Sequence, residues 1–308
     1  MSTFNQMADE VTRKLAGYTL RQDRQTHLIA DITASDGTIY VADATNVSVG
    51  IIQIDDELLY IDSFDRDNNK LIVGGYVDSS STNLYGRGYN STTAVAHTKG
   101  TRVIISPTYT AVDVKNAINE TIHAVYPEIY ATDQYSFTYR PARLTYELPS
   151  ELKKIIMLSY ESIGPSKQWI PIRSYRLDTA ADRTSFPSGK TVSLYSGIVP
   201  GRRLNVHYSH IPSTMENGND DFEYTTGLFA SSKDVIILGA AARLAAFIDP
   251  GRLTFGSAEA DQQSQIAGRA YGAGTAASKY LYALYQQRLQ EEAQRYQDEN
   301  NTRIHYSL

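Results

Sequence analysis

Apolar residues at Phe4, Met7, Val11 and Leu15 recur at steps of three and four, with Asp9 and Glu10 on the opposite side. That spacing predicts a helix over residues 4–17, ended by Gly17. From Thr26 the period shortens. THLIADI, GTIYVAD, GIIQIDDELLYIDSF, KLIVGG and TRVIIS are short β-branched or aromatic runs, separated by turn clusters at Ser35–Gly37, Asp65–Asn69 and Gly74–Gly75. They predict a small all-β unit of about five to six strands.

Helical spacing returns over residues 111–130, where Val114, Ala117, Ile118, Ile122 and Val125 form a stripe. Thr110 or Asp113 can cap its start, and Pro127 limits its end. QYSFTYR, RLTYELP, KKIIMLSYESI, QWIPIRSYRLD, TVSLYSGI and RLNVHYSHI then predict a second β unit, built as a sandwich. After a loop at Gly218–Asp221, SSKDVIILGAAARLAAFID is apolar nearly all round. It predicts a buried core helix with Ser231 or Ser232 as its N-cap. A second helix, from Ala258 to Asn300, carries Leu281, Leu284, Leu289 and Ala293 as a narrow stripe on a polar body, which suits packing along neighbours. The final TRIHYSL alternates, with Ile304, Tyr306 and Leu308 on one side. Ordering such a tail costs about 1–2 kcal/mol per residue, so it stays loose or docks on something else. Addition to the edge of a partner's sheet is the natural mode.

Composition narrows the function. The 308 residues suffice for two or three units. The net charge is −5 and no basic stripe interrupts the sequence, which argues against a protein that grips nucleic acid. There is no cysteine, so disulfides and thiolate metal sites are excluded. The start lacks a signal-peptide pattern, and the longest apolar run, Val235–Ala242, is too short to span a bilayer. A soluble, non-secreted protein is expected. Tyrosine is abundant, 23 against eight phenylalanines and one tryptophan. Its flat face and polar tip suit surfaces buried on association, and it also suits strands.

Chemistry-bearing motifs are weak. Ser188-Gly-Lys-Thr191 resembles part of a phosphate loop, but Thr184 stands where the first glycine belongs and a strand-like run follows. Asp65-Arg-Asp-Asn-Asn69 begins like a calcium loop, but Lys70 replaces the required glycine and Tyr76 the bidentate glutamate. His207 and His210 point to opposite faces of a strand, and His97 and His123 have no neighbouring ligands in sequence. Asp55-Asp56, Asp220-Asp221 and Glu291-Glu292 read as solvated turns or helix faces. No G-x-S-x-G elbow occurs. The loop GRGYNSTTAVAHTKGT, Gly86–Thr101, reads as a corner between strands. Thr92 or Thr93 would cap a helical turn over Ala94–His97, Gly100 would end it, and Arg87 could face an anion there.

The run IIQIDDELLYIDSF followed by this loop resembles a small β module of tailed-bacteriophage virion proteins, through Ile54, Asp56, Glu57, Arg87, Gly88, Thr92, Ala94, His97 and Gly100, with Ser91 replacing a usual glycine. The remaining layout, including Gly239-Ala-Ala-Ala-Arg-Leu and Asp249-Pro-Gly-Arg252, is similar to head-to-tail adaptor (neck, or connector) proteins.

The resemblance implies an α+β fold. Helices from the N-terminal, central and C-terminal parts would build a helical bundle, with two inserted β units, a small β-barrel-like module and a β-sandwich. The expected boundaries are 1–25, 110–131 and 219–300 for the helical body, 26–109 and 132–218 for the β units, and 301–308 for a docking tail. The implied function is a structural, non-enzymatic adaptor ring of the virion neck, assembled in the host cytoplasm. It would be a dodecamer bound to the portal protein and to a tail or nozzle protein. DNA would pass through its channel without specific binding. No cofactor, metal, catalytic residue or membrane is expected. Arg303, Ile304, His305, Tyr306 and Leu308 are the expected portal-docking residues, and Leu281, Leu284, Tyr285 and Leu289 the expected ring interface. The alternatives are a tail fibre, baseplate or host-surface binding protein, whose tyrosine-rich β units could hold sugar, and a tail hydrolase, for which no nucleophile or metal constellation is evident.

Overall fold

A computed structural model describes residues 2–16, 23–74, 86–163, 168–195, 197–246 and 273–300. The chain divides into two compact units. One, here the barrel unit, comprises Gln6–Ile118 and Ala240–Leu281; the other, the sandwich unit, comprises Met1–Asn5, Asn119–Gly239 and Tyr282–Leu308. Elements are numbered in chain order.

In the barrel unit, β1 (Arg24–His27), β2 (Thr38–Tyr40), β3 (Gly50–Ile54), β4 (Glu57–Asp65), β5 (Lys70–Val73) and β6 (Arg102–Ile105) form one antiparallel sheet. Its order is β1-β6-β3-β4-β5-β2. The two ends meet: Leu28 bridges Val41, Ile29 N–H donates to Tyr40 O (3.1 Å) and Ala42 N–H to His27 O (2.9 Å). Curling places alternate side chains inside, where Leu28, Ile39, Val41, Ile52, Leu59 and Val103 are fully buried. The β4–β5 turn is the Asp65–Asn69 cluster. The Asp65 carboxylate accepts from the N–H groups of Asp67 and Asn68 and from the Asn68 side chain, a turn device with no ion needed.

The sandwich unit stacks two antiparallel sheets. The first has the order β10-β9-β13-β7, with β7 (Ala131–Thr138), β9 (Lys154–Glu161), β10 (Trp169–Pro171) and β13 (Arg203–His210). The second has the order β11-β12-β8, with β8 (Thr145–Glu147), β11 (Tyr175–Asp178) and β12 (Thr191–Leu194). Tyr146 and Val192 from one sheet meet Leu158, Leu204 and Val206 from the other in a single core. Ser188-Gly-Lys-Thr191 is a turn into β12: Gly189 adopts φ 69° and the Lys190 ammonium donates to the carbonyls of Ser150 and Leu152.

The helices are α1 (Phe4–Ala16), α2 (Ala111–Ala124), α3 (Phe222–Thr226), α4 (Lys233–Ala246) and α5 (Ala273–Glu299). Phe4, Met7, Val11 and Leu15 are all buried, as their spacing requires. Asp221 caps α3 by accepting from Tyr224 N–H. Ser231 and Ser232 do not cap α4. Their hydroxyls bond Glu292 and Tyr296 of α5 instead. At Gly239 of α4 a Cβ would fall 2.4 Å from Thr121 Cγ2 and 2.8 Å from Tyr285 Cε2, so only glycine allows this approach.

The expected helical bundle with inserted β units is not what forms. Among the described residues, thirteen strands make three antiparallel sheets beside five α-helices. The barrel and sandwich cores are built from strand residues and the loops that join them. The 3.6-residue periodicities mark α1, α2 and α4, but the helix expected over 111–130 stops at Ala124, where the chain turns toward Pro127. They carried no information on whether helices or sheets enclose a core, because an apolar helix face is satisfied by either. Gly17, Asp249–Arg252 and the tail at 301–308 lie outside the described residues, as does the start of the second C-terminal helix before Ala273.

Candidate functional site

The densest group of buried charge lies in the barrel unit, where β4 begins. Glu57 is the first residue of β4, after a tight β3–β4 turn in which Asp55 adopts φ 51°. Its carboxylate is fully buried and accepts five hydrogen bonds. Arg87 grips it as a fork, Nε to Oε1 at 2.7 Å and Nη2 to Oε2 at 2.8 Å. Gly88 N–H reaches Oε1 at 3.1 Å and Val95 N–H reaches Oε2 at 3.2 Å. His97 Nε2 lies 2.9 Å from Oε2, and its Nδ1 lies 3.1 Å from Asp55 Oδ2. Arg87 also donates to the carbonyls of Thr33 and, at 2.5 Å, Val95.

The loop geometry follows from this clasp. Gly88 takes φ 64°, and a Cβ there would fall 2.8 Å from Thr92 O. The helical turn is a single 3₁₀ turn at Tyr89–Ser91, not one over Ala94–His97. Thr92 therefore works differently from a cap of that turn: its hydroxyl donates to Tyr89 O and accepts from Leu58 N–H. His97 then forms a bridge with Ile32, through N–H···O bonds of 3.0 and 2.9 Å.

Protonation is set by the same contacts. Burial alone would lift the Glu57 pKa, but the bonds from Arg87, then His97, then Val95 N–H hold it down at about 2. Burial alone would lower the His97 pKa, but the bonds to Asp55 and Glu57 raise it to about 9. A histidine facing carboxylates from both ring nitrogens donates twice, which makes it an imidazolium at neutral pH. It has no free lone pair to act as a base. Arg87 is likewise spent on Glu57 rather than on an external anion. The arrangement does structural chemistry: the Glu57 carboxylate ties the β4 start to Arg87 and His97, 30 and 40 residues on, in a single knot.

Two hollows flank the barrel. A groove of about 720 Å³ runs along α1, β6 and the start of α2. Several of its polar groups are engaged: Arg102 with Asp9 at 3.7 Å, Asp23 with Thr108 N–H and hydroxyl, and Gln53 with Ala111 N–H and Asp55 O. A smaller hollow, about 380 Å³, is lined by Ile51, Tyr60, Tyr89 and Pro107.

Glu57, Arg87, Gly88, Thr92 and His97 share a motif in the sequence, which by itself gives them no joint role. By local rules Asp55 is a solvated turn residue and His97 a lone histidine. The signal that could have joined them is the resemblance itself, since an acidic strand start, an arginine and a histidine in one module suggest a buried triad. The expected ring-interface residues Leu281, Tyr285 and Leu289 are buried within the chain, and Leu284 is partly buried. Arg303, Ile304, His305, Tyr306 and Leu308 lie outside the described residues. His207 and His210 point to opposite faces of β13, and His210 Nδ1 bonds Ile211 O. Among the described residues no group of three histidines or carboxylates is placed to hold a metal, and no helix is long and apolar enough to cross a membrane. No protein-family model matches the chain, and no curated protein matches it.

Proposed function

We propose that this chain is a structural component of a tailed-phage virion, a head-to-tail adaptor that assembles as a ring on the portal and extends the DNA channel toward the tail. One observation carries the reading. Five of the residues behind the resemblance to virion β modules, Glu57, Arg87, Gly88, Thr92 and His97, meet in one buried network around a single carboxylate and its loop. A motif in which five of nine members serve one internal knot marks a module's fold, and a protein built of such modules works by holding partners. Exposed aromatic residues fit that role: Tyr195, Tyr224, Tyr280 and Tyr282 are all more than half exposed, Tyr224 at 93%.

The test is the mass of the particle formed when the purified chain meets the portal protein of the same phage. A portal carrying a closed ring of many copies is the expected result. A trimer that ignores the portal would favour a fibre or baseplate role, and no association with either would reject the adaptor.

A further inference from the structure

We propose that β7 is an acceptor edge to which a second copy of this chain adds its C-terminal segment, residues 302–308, as an antiparallel strand. The inference rests on the ring reading above and names one contact that would build the ring.

The edge comes first. β7 is the terminal strand of its sheet and runs for eight residues without proline. The other terminal strand of that sheet, β10, has three residues and ends in Pro171. Proline and short length are ordinary protections against strand addition, and β7 has neither. Tyr139 N–H donates toward β13, to Arg202 O at 2.8 Å. By alternation Thr132, Gln134, Ser136 and Thr138 turn their backbone groups the other way. One of those donors is covered, because Gln134 N–H donates to the Asp133 carboxylate at 2.6 Å. The outward N–H groups of Thr132, Ser136 and Thr138 have no partner among the described residues.

The occupant is argued from pattern and position. Residues 302–308 alternate, with Ile304, Tyr306 and Leu308 on one side and Arg303, His305 and Ser307 on the other. β7 alternates in the same sense. Its sandwich side carries Tyr135, 37% exposed, and Phe137, stacked on Tyr146 at 4.6 Å. Its other side carries Thr132, Gln134, Ser136 and Thr138. In an antiparallel register that sets Tyr306 against Tyr135, the apolar side chains meet the aromatic side and the polar ones meet the hydroxyls and amide. Leu308 then faces Asp133, the one mismatch, while Arg303 and His305 fall on the polar side, where the Arg203 guanidinium bonds the Ser136 hydroxyl at 2.8 Å.

Position decides between the chain's own tail and a neighbour's. Tyr296, in the last turn of α5, lies edge-on to Tyr130 at 5.7 Å, immediately before β7. α5 therefore ends near the Ala131 end of β7. An antiparallel partner must start at the Thr138 end, roughly 27 Å away for eight residues. Asn301 and Thr302 span only about 7 Å. Every strand pair in the described sheets is antiparallel. Another copy can supply that direction; the same chain cannot.

The absence of cysteine makes the test direct. Two full-length chains, Ser136→Cys and His305→Cys, are mixed under mild oxidation, with and without portal. A disulfide between the two different chains is expected, about tenfold above a mixture of His305→Cys with Tyr224→Cys, as pairing at one fixed register would give. Thr138→Cys with Arg303→Cys is the second pair, should the first disturb folding. Failure of both, or a link formed only within a chain carrying both cysteines, overturns the proposal. A ring on the portal without the link rejects this contact and leaves the adaptor; the link without portal binding does the reverse.

Discussion

The barrel and the sandwich solve the same problem in opposite ways. A sheet ends in two rows of unpaired backbone groups, and something must satisfy them. In the barrel unit the ends meet through Leu28 and Val41, and the loop after β5 is locked by a carboxylate with five donors. In the sandwich unit β7 stays open along eight residues, with one donor covered by Asp133. The lesson concerns where to look for function. Concentrated charge in the barrel is spent on the fold, while the plain, polar edge of the sandwich is where a partner can be held.

Substitutions can break that contrast. The largest effect is expected at Glu57. Replacing it by Gln leaves Arg87 buried without its anion and His97 with Asp55 alone, which should destabilise the barrel unit by about 3–5 kcal/mol in urea titrations. A loss within the noise would mean the knot is ornamental. Gly88→Ala comes next, at about 2 kcal/mol, from its left-handed φ and the contact with Thr92 O.

The pH profile sharpens the same point. His97 has a folded pKa raised to about 9, so its contribution is fully present below the unfolded value near 6.5 and is lost as pH rises through 9. Glu57 has a folded pKa lowered to about 2, so its contribution is present above 4.5 and is lost as pH falls toward 2. Thermal melts should show an alkaline loss of stability that disappears in His97→Gln. The smallest effect is expected at the open edge and at exposed ion pairs. Ser136→Pro, on an outward N–H, and Arg288→Ala, which loses partly exposed contacts to Asp234 and Glu291, should each change stability by about 0.5 kcal/mol or less.

Local elements were legible in the sequence because their causes are local. The spacing of Phe4, Met7, Val11 and Leu15 marks α1, and the Asp65–Asn69 cluster marks a turn whose hydrogen bonds lie within four residues. The arrangement of those elements was not legible. Closing the barrel depends on Leu28 meeting Val41, and the knot depends on Glu57 meeting residues 30 and 40 positions away. Ser231 and Ser232 teach the same thing from the other side. A helix start read by local rules expects them to cap α4, but Glu292 and Tyr296, over 60 residues away, offer buried partners and take their hydroxyls. The exposed edge of β7 was invisible for a simpler reason: which strand ends a sheet is a property of topology.

Hydrogen–deuterium exchange on the full-length chain, dilute and then assembled, compares the two regions in one experiment. The amides of Gly88 and Val95, bonded to Glu57, should be protected in both states, whereas those of Ser136 and Thr138 should exchange freely when dilute and slow on assembly. If the Gly86–Gly100 loop changes its protection while the edge of β7 does not, the assignment of one region to folding and the other to partners is wrong.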